Sequence, residues 1–281
     1  MERSVYLKMT SLQRAREAFL SAFDWTALVG QEPIPTAEAL GRVTADPVFS
    51  ALSAPGYHGA AMDGIAVRAA ETFGACEERP LRLKLGEAAH PVNTGDPLPP
   101  GTDAVIMIEQ VHQEQLDASE TMVEIQAPAF PWQHVRRVGE DIVAGELLLP
   151  HHHRLAAADL AAMVTAGVFR VTVLGRPRLA ILATGSELID WREAERVTPA
   201  AGQIIETNSL LLAGLVREAG AEVELLPRCP DRFDEIRQAV STALEGQAQM
   251  VVINAGVSAG AKDLTPHVVG DLGEVLVHGV T

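Results

Sequence analysis

Cysteine is nearly absent. Cys76 and Cys229 are the two thiols in 281 residues, isolated and without metal-ligand spacing. That excludes a disulfide-built fold and a cysteine zinc site, and it points to a reducing cytoplasm. Positive charge is also short, with 22 Lys and Arg against 37 Asp and Glu, a net of -15. A chain this acidic argues against broad binding to nucleic acid or to an anionic membrane, both of which need basic patches. Long apolar runs are missing too. The most apolar window, Leu155 to Val173, is interrupted by Asp159 and Arg170, so no membrane span is expected. The opening MERSVYLKMTSLQRAREAF has no apolar core of signal-peptide length. Nor is there a Gly-x-Ser-x-Gly elbow, a Walker loop or a His-Glu-x-x-His motif, so covalent catalysis has no visible nucleophile.

What is present is a change of pattern along the chain. Residues 11 to 23 have helical apolar spacing with Ser11 as N-cap, and a second short helix follows Pro35-Thr36 and stops at Gly41. From Ser50 to Gly59 the composition turns to Ser, Ala, Pro and Gly, as at a domain boundary. Between Gly64 and Val138 the apolar runs are short and bounded by turns: IAV, LRLKL, AVIMI, MVEI. Those read as β-strands. Ala156 to Ala166 then reads as a helix and Phe169 to Val173 as a strand; this region is expected to pack against residues 1 to 50.

From Arg178 the pattern alternates. Strand 178–183 opens into Thr184-Gly185-Ser186-Glu187, a helix runs from Asn208 to Ala219 and closes at Gly220, and Glu222 to Leu226 is a strand. A helix through about Leu244 begins near Asp231, and Gln249 to Ile253 is a third strand running into a Gly-rich loop. Strand, helix, strand, helix, strand predicts a parallel α/β sheet, whose ligands sit beyond the carboxyl ends of the strands. Three polar loops fall at those ends: 184–187, 230–231 and 256–263.

The candidate residues follow from these loops, each with a plain alternative. Asp63, in Ala61-Met62-Asp63-Gly64, is a turn residue or an acid at the rim of the β region. Thr94, in Asn93-Thr94-Gly95-Asp96-Pro97, belongs to a rigid surface loop or to a site. Glu187 either caps the next element or faces a ligand, and Asp231 reads first as an N-cap. In the loop 256–263, Gly256, Ser258 and Gly260 free backbone N–H groups to hold an anion, and Lys262 adds positive charge. Asp263 would repel a phosphate unless a cation stood between them. Carboxylates and phosphates share a site through a divalent cation such as Mg²⁺, held by oxygen ligands. His151-His152-His153 reads as a solvated turn, because consecutive side chains point different ways.

Taken in order, these motifs resemble the molybdopterin molybdenumtransferase family, MoeA and the E domain of gephyrin. The likeness is carried by Ala61 to Val67, Thr94 to Pro99 with Asp103-Ala104-Val105, and Arg137 to Ile142. It continues through Arg176-Pro177, Thr184 to Leu188, Gly202-Gln203-Ile204 with Thr207-Asn208, Pro230-Asp231, and Val257-Ser258 with Gly260 and Asp263. It implies a multidomain α/β plus β fold. A discontinuous elongated domain would take residues 1–50 and 139–175, an inserted β domain 51–138, and a parallel α/β molybdopterin-binding domain 176–281.

The activity so implied is insertion of molybdate into adenylylated molybdopterin, with Mg²⁺ assisting and AMP released. Asp63, Thr94, Glu187, Asp231 and Asp263 would be catalytic, with Glu187, Asp231 and Asp263 placing the cation. Thr184, Gly185, Gly256, Ser258, Gly260 and Lys262 would bind the ligand. The resemblance implies a homodimer in which Asp63 and Thr94 complete the other subunit's site, and a pterin-pathway adenylyltransferase is a candidate partner. The chain departs from the family at Ala60, Ile65, Ser186 and Ala255. It also stops at His278-Gly279-Val280-Thr281, before the family's basic Pro-Gly-Lys-Pro loop, so a C-terminally truncated form is expected. The alternative is a catalytically impaired or inactive molybdopterin-binding or dimerisation module.

Overall fold

A computed structural model describes residues 9–25, 27–117, 120–194, 198–255 and 264–281. The chain divides into two compact units, Pro33–Val173 and a second made of Met1–Glu32 with Leu174–Thr281. Among the described residues no helix is long and apolar enough to cross a membrane.

The second unit begins with helix α1, Leu12–Ser21, whose N-cap Ser11 accepts a hydrogen bond from the Arg14 N–H as expected. The rings of Phe19 in its last turn and of Phe23 and Trp25 beyond it lie 5.4–5.5 Å apart. Met9–Thr10 pairs in parallel with Gly279–Val280, which is why the first residues group with the last hundred.

Within Pro33–Val173, one core joins Ala39 and Val48 to Leu149, Leu155, Met163, Val171 and Val173. The helix expected after Pro35 is one 3₁₀ turn, Thr36–Glu38, and Gly41 follows with φ of 73°. Thr44 is fully buried, and its hydroxyl donates to the Pro150 carbonyl at 2.8 Å while accepting from the His153 N–H at 2.9 Å. Such pairing is the condition for burying a polar group at small cost.

The β region of the same unit is two small antiparallel sheets. In the first, β1 (Gly64–Val67) lies between β3 (Ala89–Val92) and β4 (Ala104–Met107). In the second, β6 (Glu120–Ile125) lies between β2 (Leu81–Lys84) and β5 (Val111–Asp117). Ile65 and Val67 enter a core with Leu83, Ile106, Val123 and Ile125, whereas Ala66 enters another with Ala60, Val92, Val105 and Val135. Because β1 is buried on both faces, its sequence is a continuous apolar run instead of an alternation. Helix α2, Ala157–Thr165, closes the unit over the buried Met163. Its Asp159 carboxylate accepts from the Ala156 N–H at 2.8 Å, a capping bond that satisfies an orphan donor.

The α/β part carries the predicted alternation: β7 (Arg178–Ala183), α3 (Asn208–Glu218), β8 (Glu222–Leu225), α4 (Phe233–Glu245), β9 (Met250–Asn254) and α5 (Thr265–Leu272). The parallel sheet has the order β8-β7-β9. Central β7 buries Ala180, Ile181, Leu182 and Ala183, and Leu182 packs with Cys229, Ile236, Val240 and Val268. Full burial of an aliphatic side chain contributes roughly 1.5–3 kcal/mol, so this central strand anchors the sheet. Gly220 ends α3 with φ of 93°, as its place in the sequence predicts.

One prediction fails here. Asp231 does not cap α4, because Arg232 is still extended (φ -127°, ψ 130°) and occupies the cap position without a side-chain bond. The helix therefore starts at Phe233, and its first turn takes Asp234 and Glu235.

Candidate functional site

The carboxyl end of β7 shows why the turn after it is Thr-Gly. Thr184 is buried and its N–H donates to the Asn254 carbonyl at 3.0 Å. Gly185 sits at φ of 150° and its N–H donates to the Cys229 carbonyl at 3.1 Å. A Cβ on Gly185 would lie 2.9 Å from Leu188 and 3.0 Å from Glu187 Oε1. A side chain at Gly185 would crowd Leu188 and the Glu187 carboxylate, and the backbone angle there is one that glycine adopts readily.

Neighbouring β8 delivers the next group. Cys229 follows it, and burial pushes the Cys229 thiol pKa up, with the negative charges of Glu235 and Asp231 adding to the effect. Asp231 is therefore close enough to act on a thiol whose backbone binds Gly185. Glu187 and Asp231 come from loops at the ends of adjacent parallel strands, where α/β sheets hold ligands. The Thr184 hydroxyl lies at the same end, buried and without a hydrogen-bond partner among the described residues. An orphaned buried hydroxyl requires an explanation, and a ligand supplies one.

At the end of β9, sequence reasoning missed a residue. Glu206 is 8% exposed, and its Oε1 accepts from the Ser209 N–H at 2.8 Å and from Asn254 Nδ2 at 3.2 Å. Asn208 Nδ2 donates to Asn254 Oδ1 at 3.4 Å. Glu206 therefore ties the start of α3 to the strand end from which the glycine-rich loop departs. With Ser209, Trp191 and Arg228 it lines a cavity of about 30 Å³, the space of a single water. Gly256, Ser258, Gly260, Lys262 and Asp263 lie outside the described residues. Among the described residues, no three His, Cys, Asp or Glu side chains gather as a metal-holding group. His151 stacks on His152 at 4.5 Å, and His153 Nε2 meets Asp159 Oδ2 at 2.8 Å.

In the other unit, Asp63 and Thr94 are brought together. The Thr94 N–H donates to Asp63 Oδ1 at 2.7 Å and the Thr94 hydroxyl donates to the same oxygen at 3.0 Å. These two bonds, the backbone one first, hold the Asp63 carboxyl below its ordinary pKa of 3.8. Asp63 is placed by Gly64, where any Cβ would overlap the Ile106 carbonyl, and its own carbonyl accepts from the Ile108 N–H at 3.0 Å. Arg136 is engaged by Asp141 at 2.6 Å and Glu140 at 3.6 Å. Arg68 holds the Gly101 carbonyl at 3.2 Å and faces Glu71 at 3.7 Å.

The chain is similar to known proteins along most of its length. A family profile described as "MoeA N-terminal region (domain I and II)" matches residues 10–167. A second, described as "Probable molybdopterin binding domain", matches residues 180–281. The chain is 33% identical over 253 residues to molybdopterin molybdenumtransferase 2 of Mycobacterium tuberculosis, covering 84% of this chain and 60% of that protein. It is 30% identical over 282 residues to the molybdopterin molybdenumtransferase of Haemophilus influenzae, covering 95% and 66%. A crystal structure of the molybdopterin biosynthesis MoeA protein of Pyrococcus horikoshii superposes with a TM-score of 0.81 at 30% identity, over 97% of this chain and 69% of that one. The chain spans 60–66% of the length of these two curated relatives.

Proposed function

The chain belongs to the MoeA family, and on that premise we propose that it acts in molybdenum cofactor biosynthesis as a molybdopterin molybdenumtransferase. Molybdate is inserted into adenylylated molybdopterin, and water adds across the phosphoanhydride to the adenylate, giving AMP and the pterin phosphate. What supports this reading is that Glu187, Asp231 and the orphaned Thr184 hydroxyl belong to neighbouring loops beyond the carboxyl ends of β7 and β8. Two carboxylates and a hydroxyl are hard oxygen donors, the set that suits Mg²⁺. Bound there with Asp263, Mg²⁺ would neutralise charge on the phosphate and molybdate oxygens.

The chain's own groups then position and orient. Gly185 gives the Glu187 carboxylate its place, and the backbone donors of Gly256, Ser258 and Gly260, with Lys262, receive the anion. Asp63 stays ionised because Thr94 holds it. In a homodimer, the Asp63–Thr94 edge of one subunit closes the sheet-end site of the other. A pterin-pathway adenylyltransferase supplies the substrate, and the reaction belongs to the cytoplasm.

The test is AMP release, followed chromatographically after addition of adenylylated molybdopterin, molybdate and Mg²⁺. Turnover is expected, with Glu187→Ala and Asp63→Ala each lowering it by on the order of a hundredfold or more. Unchanged rates in both variants would remove these residues from the site. Release that survives exhaustive chelation would remove the cation, and binding without AMP would leave a molybdopterin-binding module.

A further inference from the structure

The segment 130–138 holds a feature that the reading above does not use. Trp132 has φ of 66°, and His134, two residues on, has φ of 53°. Histidine enters this left-handed region with some frequency, but a bulky tryptophan there is an outlier. Such a conformation persists only where its surroundings impose it, and it concentrates at ligand sites. Here the imposition is visible. The Trp132 N–H donates to the Asp103 carbonyl at 2.7 Å, and the His134 carbonyl accepts from the Ala61 N–H at 2.8 Å.

What the strained turn presents is an aromatic surface. Trp132 is 43% exposed and its ring centroid lies 4.8 Å from that of His58, with 49° between the planes. His58 is fixed in turn, because its Nδ1 accepts from the Val138 N–H at 3.1 Å. Gly59–Ala60 pairs with Val135–Arg136, so the two rings flank one short ladder. Asp63 stands two residues beyond Ala61, about 7 Å of chain. Its Oδ1 takes both bonds from Thr94, and its Oδ2 has no partner among the described residues.

We propose that Trp132 and His58 form a stacking platform beside Asp63 for a planar, amino-substituted fused pyrimidine ring. An indole face takes such a ring by offset stacking. A carboxylate oxygen accepts from an exocyclic ring amine, the pairing by which Asp and Glu read cytosine. Pterin and adenine both offer this chemistry. Which of them arrives rests on the function proposed above; the platform itself does not.

The experiment is a titration of the whole chain carrying ¹⁵N-labelled tryptophan. The three indole N–H resonances, from Trp25, Trp132 and Trp191, are assigned by substitution. The Trp132 resonance should move when AMP or 6-hydroxymethylpterin is added to millimolar concentration, and should stay in place with ribose 5-phosphate. A response to one ring alone identifies the source. Trp132→Gly suits the observed φ, so it should fold with an undiminished melting temperature and bind roughly tenfold or more weakly, followed by ligand-detected NMR. Trp132→Phe should recover part of the loss. A Trp132 resonance indifferent to both rings would overturn the platform, as would a folded Trp132→Gly that binds like the parent. AMP release depends on the sheet-end carboxylates, so a chain that binds the ring without turnover keeps the platform and loses the transferase reading.

Discussion

The smallest decisive feature is one carboxylate oxygen with two donors from a single residue. Asp63 Oδ1 receives both the N–H and the hydroxyl of Thr94, which favours the charged acid. Its pKa is lowered in the folded chain, so the stabilisation is present above pH 3.8, the ordinary value, and disappears as pH falls through the lower folded one. Thr94→Val keeps the N–H and removes the hydroxyl. The Asp63 titration, read from its carboxyl ¹³C shift, should then move part of the way back up. An unchanged titration would mean that the hydroxyl does not anchor the charge. Sequence reasoning had both residues but not their bond, because 31 positions separate them and their meeting is a property of the sheet. Glu206 was invisible for a related reason. In Gln203-Ile204-Ile205-Glu206-Thr207 it reads as a surface acid before a helix, and only the fold buries it against Asn254.

At the level of elements, glycines mark where backbone must pass close to backbone. Gly64 is the tightest, since a side chain there would collide with the Ile106 carbonyl across the β1–β4 ladder. Gly64→Ala should cost on the order of 3 kcal/mol, the upper end of overpacking, because a carbonyl in a ladder cannot step aside. Thermal unfolding checks this; a cost below about 1 kcal/mol would mean that β1 and β4 can separate. The alternating half of the chain was well legible. Its central strand and β9 are apolar runs, β8 alternates as Glu-Val-Glu-Leu, and the helix from Asn208 stops at a glycine. Two things were not. The order β8-β7-β9 is fixed by contacts between strands, on which each strand's own pattern is silent. Asp231 misled because Pro-Asp before an apolar period satisfies the rule for a cap, while the extended Arg232 moved the helix one step on. Trp132 likewise sits in Pro131-Trp132-Gln133-His134, which reads as an ordinary loop.

On the scale of the whole molecule, the two units differ in how the chain builds them. Pro33–Val173 is one uninterrupted stretch, while its companion is assembled from both sides of it. The join rests in part on two residues paired with two others, Met9–Thr10 with Gly279–Val280. A contact that short opens easily. In native-state hydrogen exchange, the Thr281 amide, which donates to the Thr10 carbonyl at 3.0 Å, should exchange well before the amides of Val251 to Ile253. Equal protection would show that the pairing opens only with the sheet.

That pairing also sets a timetable for synthesis. Thr10 leaves the ribosome early, but its partner Val280 is translated about 270 residues later, tens of seconds at 5–20 residues per second. Throughout that interval Met9–Thr10 has no strand to pair with, while residues 33–173 are already free to collapse. A nascent chain held near residue 200 would thus carry Met9–Thr10 as an unpaired strand beside a unit already complete.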